Sequence, residues 1–393
     1  MNTRPLTVML VAAEASGDDR GAGLARALRA KLGEGGVRLV GVGGTRMAAE
    51  GVQSPFDIAD LSIFGLTEGL LAWRKVVRRA EETAALAARE KPDVAVLIDS
   101  WGFTLRVAQR LRRQDPKLPI VKYVAPQVWA SRPGRAKTAA QAFDLLLTIH
   151  AFDAPAFQRE GLETVFVGDS TLAIDFSRAD PARLRSEIGA GPDDPILLVL
   201  PGSRPSEIER ILPAFEDAVN RLKAERPGLH VVIPVAPTVA DLVKTRVAGW
   251  PHRAHLVEGE AAKRDAMKAA TVALACSGTV TTELALAGCP MVVAYKLAPI
   301  TYAILKRLIR TKWVTLFNIA AHDFVAPEMI QDDCNGPALE REVALRLDDG
   351  DLRKRQVERQ NAALLRMGRG GADPSEAAAD AVIAVAARLE RGG

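Results

Sequence analysis

Ser277, Gly278 and Thr279 stand between two apolar runs in TVALACSGTVTTELALAGCPMVVAY, with Glu283 one helical turn further on. The flanking stretches read as a buried strand (Val272 to Cys276), a helix (Val280 to Ala287) stopped by Gly288, and a second buried strand (Met291 to Tyr295). Short continuous apolar runs of this kind predict a parallel sheet covered on both faces. The turn then lies at the carboxyl end of a strand and the amino end of a helix. Free backbone N–H groups, two hydroxyls and the positive end of the helix dipole meet there, a setting that suits a phosphate. Glu283 is placed to accept hydrogen bonds from a ribose diol. Equally open on this stretch alone is an ordinary strand-to-helix turn whose Ser and Thr only cap the helix. A second junction, ILLVLPGSRPSEIERI, repeats the arrangement, with Ser203 and Arg204 in the turn, Pro205 near the first helical turn, and Glu207 and Glu209 at its start. The guanidinium of Arg204 is a planar fork suited to a pyrophosphate, although a helix entry with a surface arginine reads the same way. Two such turns in one domain favour a nucleoside diphosphate.

In the first half, Asp99 closes the strand VAVLID, at the rim where a carboxylate serves as a general base or as a helix cap. The first strand runs into Glu14-Ala15-Ser16-Gly17-Asp18, a glycine turn without the GxGxxG of a dinucleotide site, and Gly41-Val42-Gly43-Gly44 lacks the third glycine, so NAD is disfavoured. Val124 to Trp129, including Gln127, precedes Arg132 and Arg135, an aromatic beside cations or a packed loop before a basic helix. Metal patterns are weak: His252 and His255 lie in a Pro-rich approach to a strand, and Asp349-Gly350-Asp351 sits between two late helices where capping explains it. No GxSxG elbow is present. Neither a metal nor a cofactor is expected. Phe64, Leu66, Leu70, Leu71 and Trp73 stand beside Arg74, Lys75, Arg78 and Arg79, as in a helix lying in a membrane interface. At about 1 kcal/mol per cation near anionic lipid, the cluster would hold the chain reversibly on a bilayer. A core helix with a solvated basic face has the same composition.

The elements that must position these residues alternate nearly throughout. Strands are expected at Val8 to Ala12, Leu39 to Val42, Val94 to Ile98, Ile120 to Val124, Leu145 to Ile149 and Val165 to Val167, with helices such as Arg20 to Lys31 and Lys75 to Arg89 between them. The pattern thins around Phe176 to Asp194 and restarts with Ile196 to Leu200, Val231 to Val235, His255 to Val257, Val272 to Cys276 and Met291 to Ala294. From Ala338 on, only helices are expected, in Ala338 to Leu347, Leu352 to Met367 and Pro374 to Leu389. This is an α/β chain of two Rossmann-like halves, each a doubly wound parallel sheet, facing a cleft, with C-terminal helices. At 393 residues the chain is too long for one core. The expected division is 1–176, 177–365 and a final helix at 366–393. Apolar residues at 48% and charged residues at 25% fit a folded soluble protein. The net charge of +4 is too small to suggest nucleic acid, and three cysteines make no disulfide framework, which suits a reducing cytoplasm. The amino terminus lacks the features of a signal peptide, and no apolar run reaches the ~18 residues needed to span a bilayer.

In order and spacing, these motifs resemble the lipid-A-disaccharide synthase family, inverting GT-B glycosyltransferases (family 19) of Gram-negative bacteria. The resemblance runs through Glu14 to Asp18, Gly41 to Gly44 with Met47 and Gly51, Tyr123 to Trp129, Leu200 to Arg204, Ser277 to Glu283, Pro290 to Tyr295, and Asn318 with Pro327-Glu328 and Gln331. It implies transfer of 2,3-diacylglucosamine from its UDP derivative to the 6-hydroxyl of 2,3-diacylglucosamine 1-phosphate, without a metal, by a peripheral protein on the cytoplasmic side of the inner membrane. Donor binding would fall to Ser203, Arg204, Ser277, Gly278, Thr279, Glu283, Asn318 and Gln331. The acceptor side would involve Glu14, Ser16, Gly17, Asp18, Gln127, Trp129 and Asp169, with Asp99 as base. Phe64, Leu66, Leu70, Leu71, Trp73, Arg74, Lys75 and Arg78 would meet the membrane, the last helix, Pro374 to Leu389, would pack back on the first domain, and a homodimer stays open. Three segments depart from the family: Ser100-Trp101-Gly102-Phe103-Thr104 where a Pro, an acidic residue, Phe and Asn usually follow the Asp; Asp169 where the family has His; and Trp129-Ala130-Ser131-Arg132 for Trp-Ala-Trp-Arg. Either Asp169 restores a carboxylate from across the cleft, or the acceptor pocket is remade with Trp101 as a stacking face. The alternatives are a paralogous glycosyltransferase with another acceptor and a non-catalytic membrane-associated UDP-sugar-binding protein.

Overall fold

A computed structural model describes residues 4–61, 69–128, 134–236, 239–298, 302 and 312–390. The chain forms two units, Met1–Ser170 with Gly371–Gly393, and Thr171–Gly370. The first is built on six parallel strands: β1 (Leu6–Val11), β2 (Val37–Val42), β3 (Val94–Ile98), β4 (Ile120–Tyr123), β5 (Leu145–Thr148) and β6 (Glu163–Phe166), in the order β2-β1-β3-β4-β5-β6. The second holds β7 (Ile196–Leu200), β8 (His230–Val235), β9 (His255–Glu258), β10 (Val272–Cys276), β11 (Met291–Tyr295) and β12 (Glu328–Ile330), in the order β12-β11-β10-β7-β8-β9. With helices on both faces, these are the two doubly wound sheets of the GT-B fold.

The strands read as continuous apolar runs because alternate side chains enter different cores. In the first unit Met9, Val11, Ala95 and Leu97 pack on one face, while Val8, Leu10, Val94 and Val96 pack on the other. In the second, Leu198 and Ala273 go one way and Leu197, Val199, Val272 and Leu274 the other. Each sheet reverses its winding once, between β1 and β3 and between β7 and β10. Loops beyond the carboxyl ends at such a point diverge and leave a crevice.

Two differences from the sequence reading have local causes. The segment Ser16-Gly17-Asp18 is the first turn of helix Ala15–Leu32 rather than a glycine turn before it. Gly17 packs closely there, since an added Cβ would lie 3.3 Å from Ala12 Cβ and 3.7 Å from Asp99 Cβ. The sixth strand of the second sheet, β12, is only three residues long, too short to show a period. The last helix, Pro374–Glu390, lies in the first unit, on the side where the sequence reading expected it, and there Ala378, Ala379, Val382, Val385 and Ala386 share a core with Leu10, Leu24 and Leu28.

Candidate active site

In the second unit, both phosphate-type turns fall at the switch point. The β7 turn (Pro201 to Arg204) and the β10 turn (Ser277 to Thr279) line a cavity of about 410 Å³, together with Glu207, Pro234, Ala236, Glu260, Lys263 and Glu283. Helix Pro205–Glu225 and helix Thr279–Ala287 begin at its wall, which puts the positive ends of two helix dipoles beside it. Gly202 has φ +114, and a Cβ there would come within 2.8 Å of Glu207 Oε2, so the turn requires glycine. Glu207 accepts from the Ser203 amide at 3.3 Å and from Arg204 at 2.8 Å, which steers the largely exposed guanidinium (side chain 74% exposed). Ser203, Arg204, Ser277, Gly278, Thr279 and Glu283 are thus brought together.

Two residues in this wall were not expected from sequence. Lys263, in helix Glu260–Ala269 after β9, lies 2.8 Å from Glu283 and 3.2 Å from Glu260. Burial works against its charge, but Glu283 and Glu260 outweigh it and hold the ammonium above the usual lysine range. The signal was available, since the β9 junction is a third strand-to-helix turn at the same edge. Cys276 also lines the cavity, its thiol pushed up to about 12 by burial and by Glu207, so it stays a neutral packing group.

Asn318 and Gln331 do not line this cavity. Asn318 is fully buried; its amide bonds the Val325 and Ala326 backbone and donates to Glu328 at 2.9 Å. Gln331, with φ +56, accepts from the Leu297 amide at 2.5 Å. In the described residues both fix the backbone around β11 and β12.

The first unit presents a polar edge at its own switch point. Asp99 follows β3 with φ +50 and Ser100 with φ +34, a left-handed pair that lifts the carboxylate off the strand. One Asp99 oxygen accepts from Ser16 Oγ at 3.0 Å and lies 3.6 Å from Arg20; the other accepts from the Ser100 amide at 3.0 Å. Arg20, nearly buried, also stands 3.5 Å from Asp169. Asp169 therefore lies in the same unit as Asp99, linked to it through one guanidinium, not across a cleft from it. Burial holds the neighbouring His150 below the usual histidine range, against Asp169 and with Arg20.

Other expected acceptor-side residues take separate roles. Asp18 is buried and accepts from the amides of Gly44, Arg46 and Met47 at 2.7 to 3.0 Å, which caps helix Thr45–Ala49. Glu14 and Gln127 are exposed, and Trp129 lies outside the described residues. Trp101 is tilted against Phe143, ring centres 6.2 Å apart, with the Arg135 guanidinium 5.8 Å from its ring.

Of the membrane cluster, Phe64 and Leu66 lie outside the described residues, as do the side chains of Leu70 and Leu71. Trp73 is 53% exposed under the Arg106 guanidinium, 3.9 Å from its ring centre, and Arg74 is exposed. Lys75 pairs with Asp60 at 2.6 Å and Arg78 with Glu82 at 3.6 Å. Among the described residues, no helix is long and apolar enough to cross a membrane, and no three His, Cys, Asp or Glu are grouped to hold a metal.

A family model for lipid-A-disaccharide synthetase matches residues 8–382. A lipid-A-disaccharide synthase of Rhodospirillum centenum is 41% identical over 382 residues, covering 97% of this chain and 95% of that protein. One from Nitrobacter winogradskyi is 43% identical over 378 residues, covering 96% and 94%. The S. aureus MnaA–UDP co-structure superposes with a TM-score of 0.63 at 15% identity, covering 94% of each chain, a likeness of fold.

Proposed function

The chain belongs to the lipid-A-disaccharide synthetase family, and from that membership we propose how its two crevices divide the synthase reaction. The second unit takes the UDP of UDP-2,3-diacylglucosamine, and the first unit activates the 6-hydroxyl of 2,3-diacylglucosamine 1-phosphate. The observation that carries this reading is the paired turns at β7 and β10, which aim two helix amino ends and Arg204 into one cavity of nucleotide size. Asp99 accepts the hydroxyl proton as the acceptor oxygen bonds to the anomeric carbon of the donor. The bond from that carbon to the diphosphate breaks, and its electron pair leaves with UDP. Turn amides, Arg204 and Lys263 offset the charge that develops on the departing oxygen. Displacement from the opposite face inverts the anomeric centre. Glu283, oriented by Lys263, accepts from the ribose hydroxyls. The exposed Trp73 and Arg74 support action at an anionic membrane surface, which we assign to the cytoplasmic face of the inner membrane.

UDP release by the purified chain, with and without the diacylglucosamine phosphate acceptor, tests this directly. Asp99→Asn should lower turnover by roughly two to four orders of magnitude with UDP affinity unchanged. Arg204→Ala should weaken UDP binding by about tenfold, the loss of one charge-assisted hydrogen bond. Release of UDP only with a different acceptor would assign the chain a remade first-unit pocket, with the Arg20–Asp169 pair as the first place to look. No acceptor-dependent release at all would overturn catalysis.

A further inference from the structure

Beneath Asp99 lies a charged group that the reaction above does not use. Lys122, in β4, is 1% exposed and stands on the sheet face opposite that of its neighbours Val121 and Tyr123. Its ammonium donates to the backbone carbonyl of Asp99 and, at 3.0 Å, to Thr104 Oγ1. Thr104 Oγ1 in turn lies 3.0 Å from the Asp99 carbonyl and 3.1 Å from that of Ser100. The two carbonyls held in this way are those of the two consecutive left-handed residues. A side chain with a Cβ resists that conformation, and it persists only where surroundings fix it. An ammonium is also expensive in an apolar core, where a thioether chain of similar length would fill the space without that cost.

We propose that Lys122 is a positioning residue for Asp99: with Thr104 it ties down the Asp99 and Ser100 carbonyls and so keeps the carboxylate turned toward Ser16 and the open edge of the sheet. The assignment rests on the reading of Asp99 as base. Burial pushes the ammonium down to about 7, with Asp99 and Glu14 acting to raise it, and both its charged and its neutral form keep N–H groups for the Asp99 carbonyl. Tyr123, next in the strand, is pushed up to about 12 by burial and stays protonated.

The test is steady-state kinetics with UDP calorimetry on Lys122→Met, Thr104→Val, Asp99→Asn and the Asp99→Asn/Lys122→Met pair, all in the full chain. Misplacement of a reacting group by about 1 Å costs up to about 100-fold. Lys122→Met should therefore lower kcat by about 10- to 100-fold, with KM for the donor and UDP affinity unchanged. Thr104→Val should lower kcat in the same direction by less. In the Asp99→Asn background, Lys122→Met should add no further loss, because it acts only through the carboxylate. Full activity of Lys122→Met beside an inactive Asp99→Asn overturns the proposal and leaves the base assignment standing. Full activity of Asp99→Asn overturns the base assignment itself. Additive losses in the double variant also overturn the proposal, and if Lys122→Met does not fold, an unchanged kcat in Thr104→Val does so.

Discussion

At the scale of single residues, Lys122 has a thermodynamic signature separate from its kinetic one. Its ammonium titrates near 7 when buried and at 10.5 when exposed in the unfolded chain. Between those values the unfolded chain binds a proton that the native state lacks, so rising pH favours the native state through this group. Unfolding of the native chain and of Lys122→Met, followed by denaturant at a series of pH values, should give a stability difference that climbs in favour of the native chain between about 7 and 10.5 and levels off below and above. A flat difference would mean that the ammonium is not desolvated. Site residues legible in the sequence were those whose chemistry is local: Ser203, Arg204, Ser277 and Thr279 sit in turns that follow buried runs. Lys122, Lys263 and Arg20 were not legible, because each is defined by partners in other elements: Asp99, Glu283 and Asp169. Asp18, which the resemblance put on the acceptor side, has partners that the sequence does not reveal either, the amides of Gly44, Arg46 and Met47.

At the scale of elements, helix Gly69–Glu90 carries most of what the sequence assigned to a membrane surface. Ion pairs from Lys75 to Asp60 and from Arg78 to Glu82 neutralise two of the expected cations, which leaves the exposed Trp73 and Arg74 as the stronger candidates for lipid contact. Vesicle sedimentation with anionic lipid should show binding reduced several-fold by Trp73→Ser/Arg74→Ser and weakened by 0.5 M salt, because about 1 kcal/mol attaches to one cation at such a surface. Equal binding by the variant would assign lipid contact elsewhere. Strands were legible because burial on both faces writes an unbroken apolar run, and β3, β7 and β10 match the expected spans residue for residue. β12 escaped because three residues show no period, and its place at the sheet edge depends on Glu328, which accepts from Val314, Thr315 and Asn318.

At the scale of the whole molecule, the first unit is assembled from both ends of the chain. Burying Val382 and Val385 contributes about 3 to 6 kcal/mol before chain entropy is subtracted, at about 1.5 to 3 kcal/mol each. Deleting residues 371–393 should therefore lower the first thermal transition and expose dye-binding surface, while calorimetry still records UDP binding by the second unit. Loss of UDP binding together with the helix would contradict that independence. Composition and the alternation of strands and helices made two sheets legible, whereas the last helix's expected place came from the resemblance, and the partners it packs on, Leu24 and Leu28 among them, were not read from sequence. The order of synthesis follows from the same helix. Chains generally fold amino end first as they leave the ribosome, yet here the earliest residues wait for the last. The second unit has all its residues while the unit carrying Asp99 is still missing a wall, so in a chain cut short by premature termination the proposed UDP site would be complete and the proposed acceptor site unfinished.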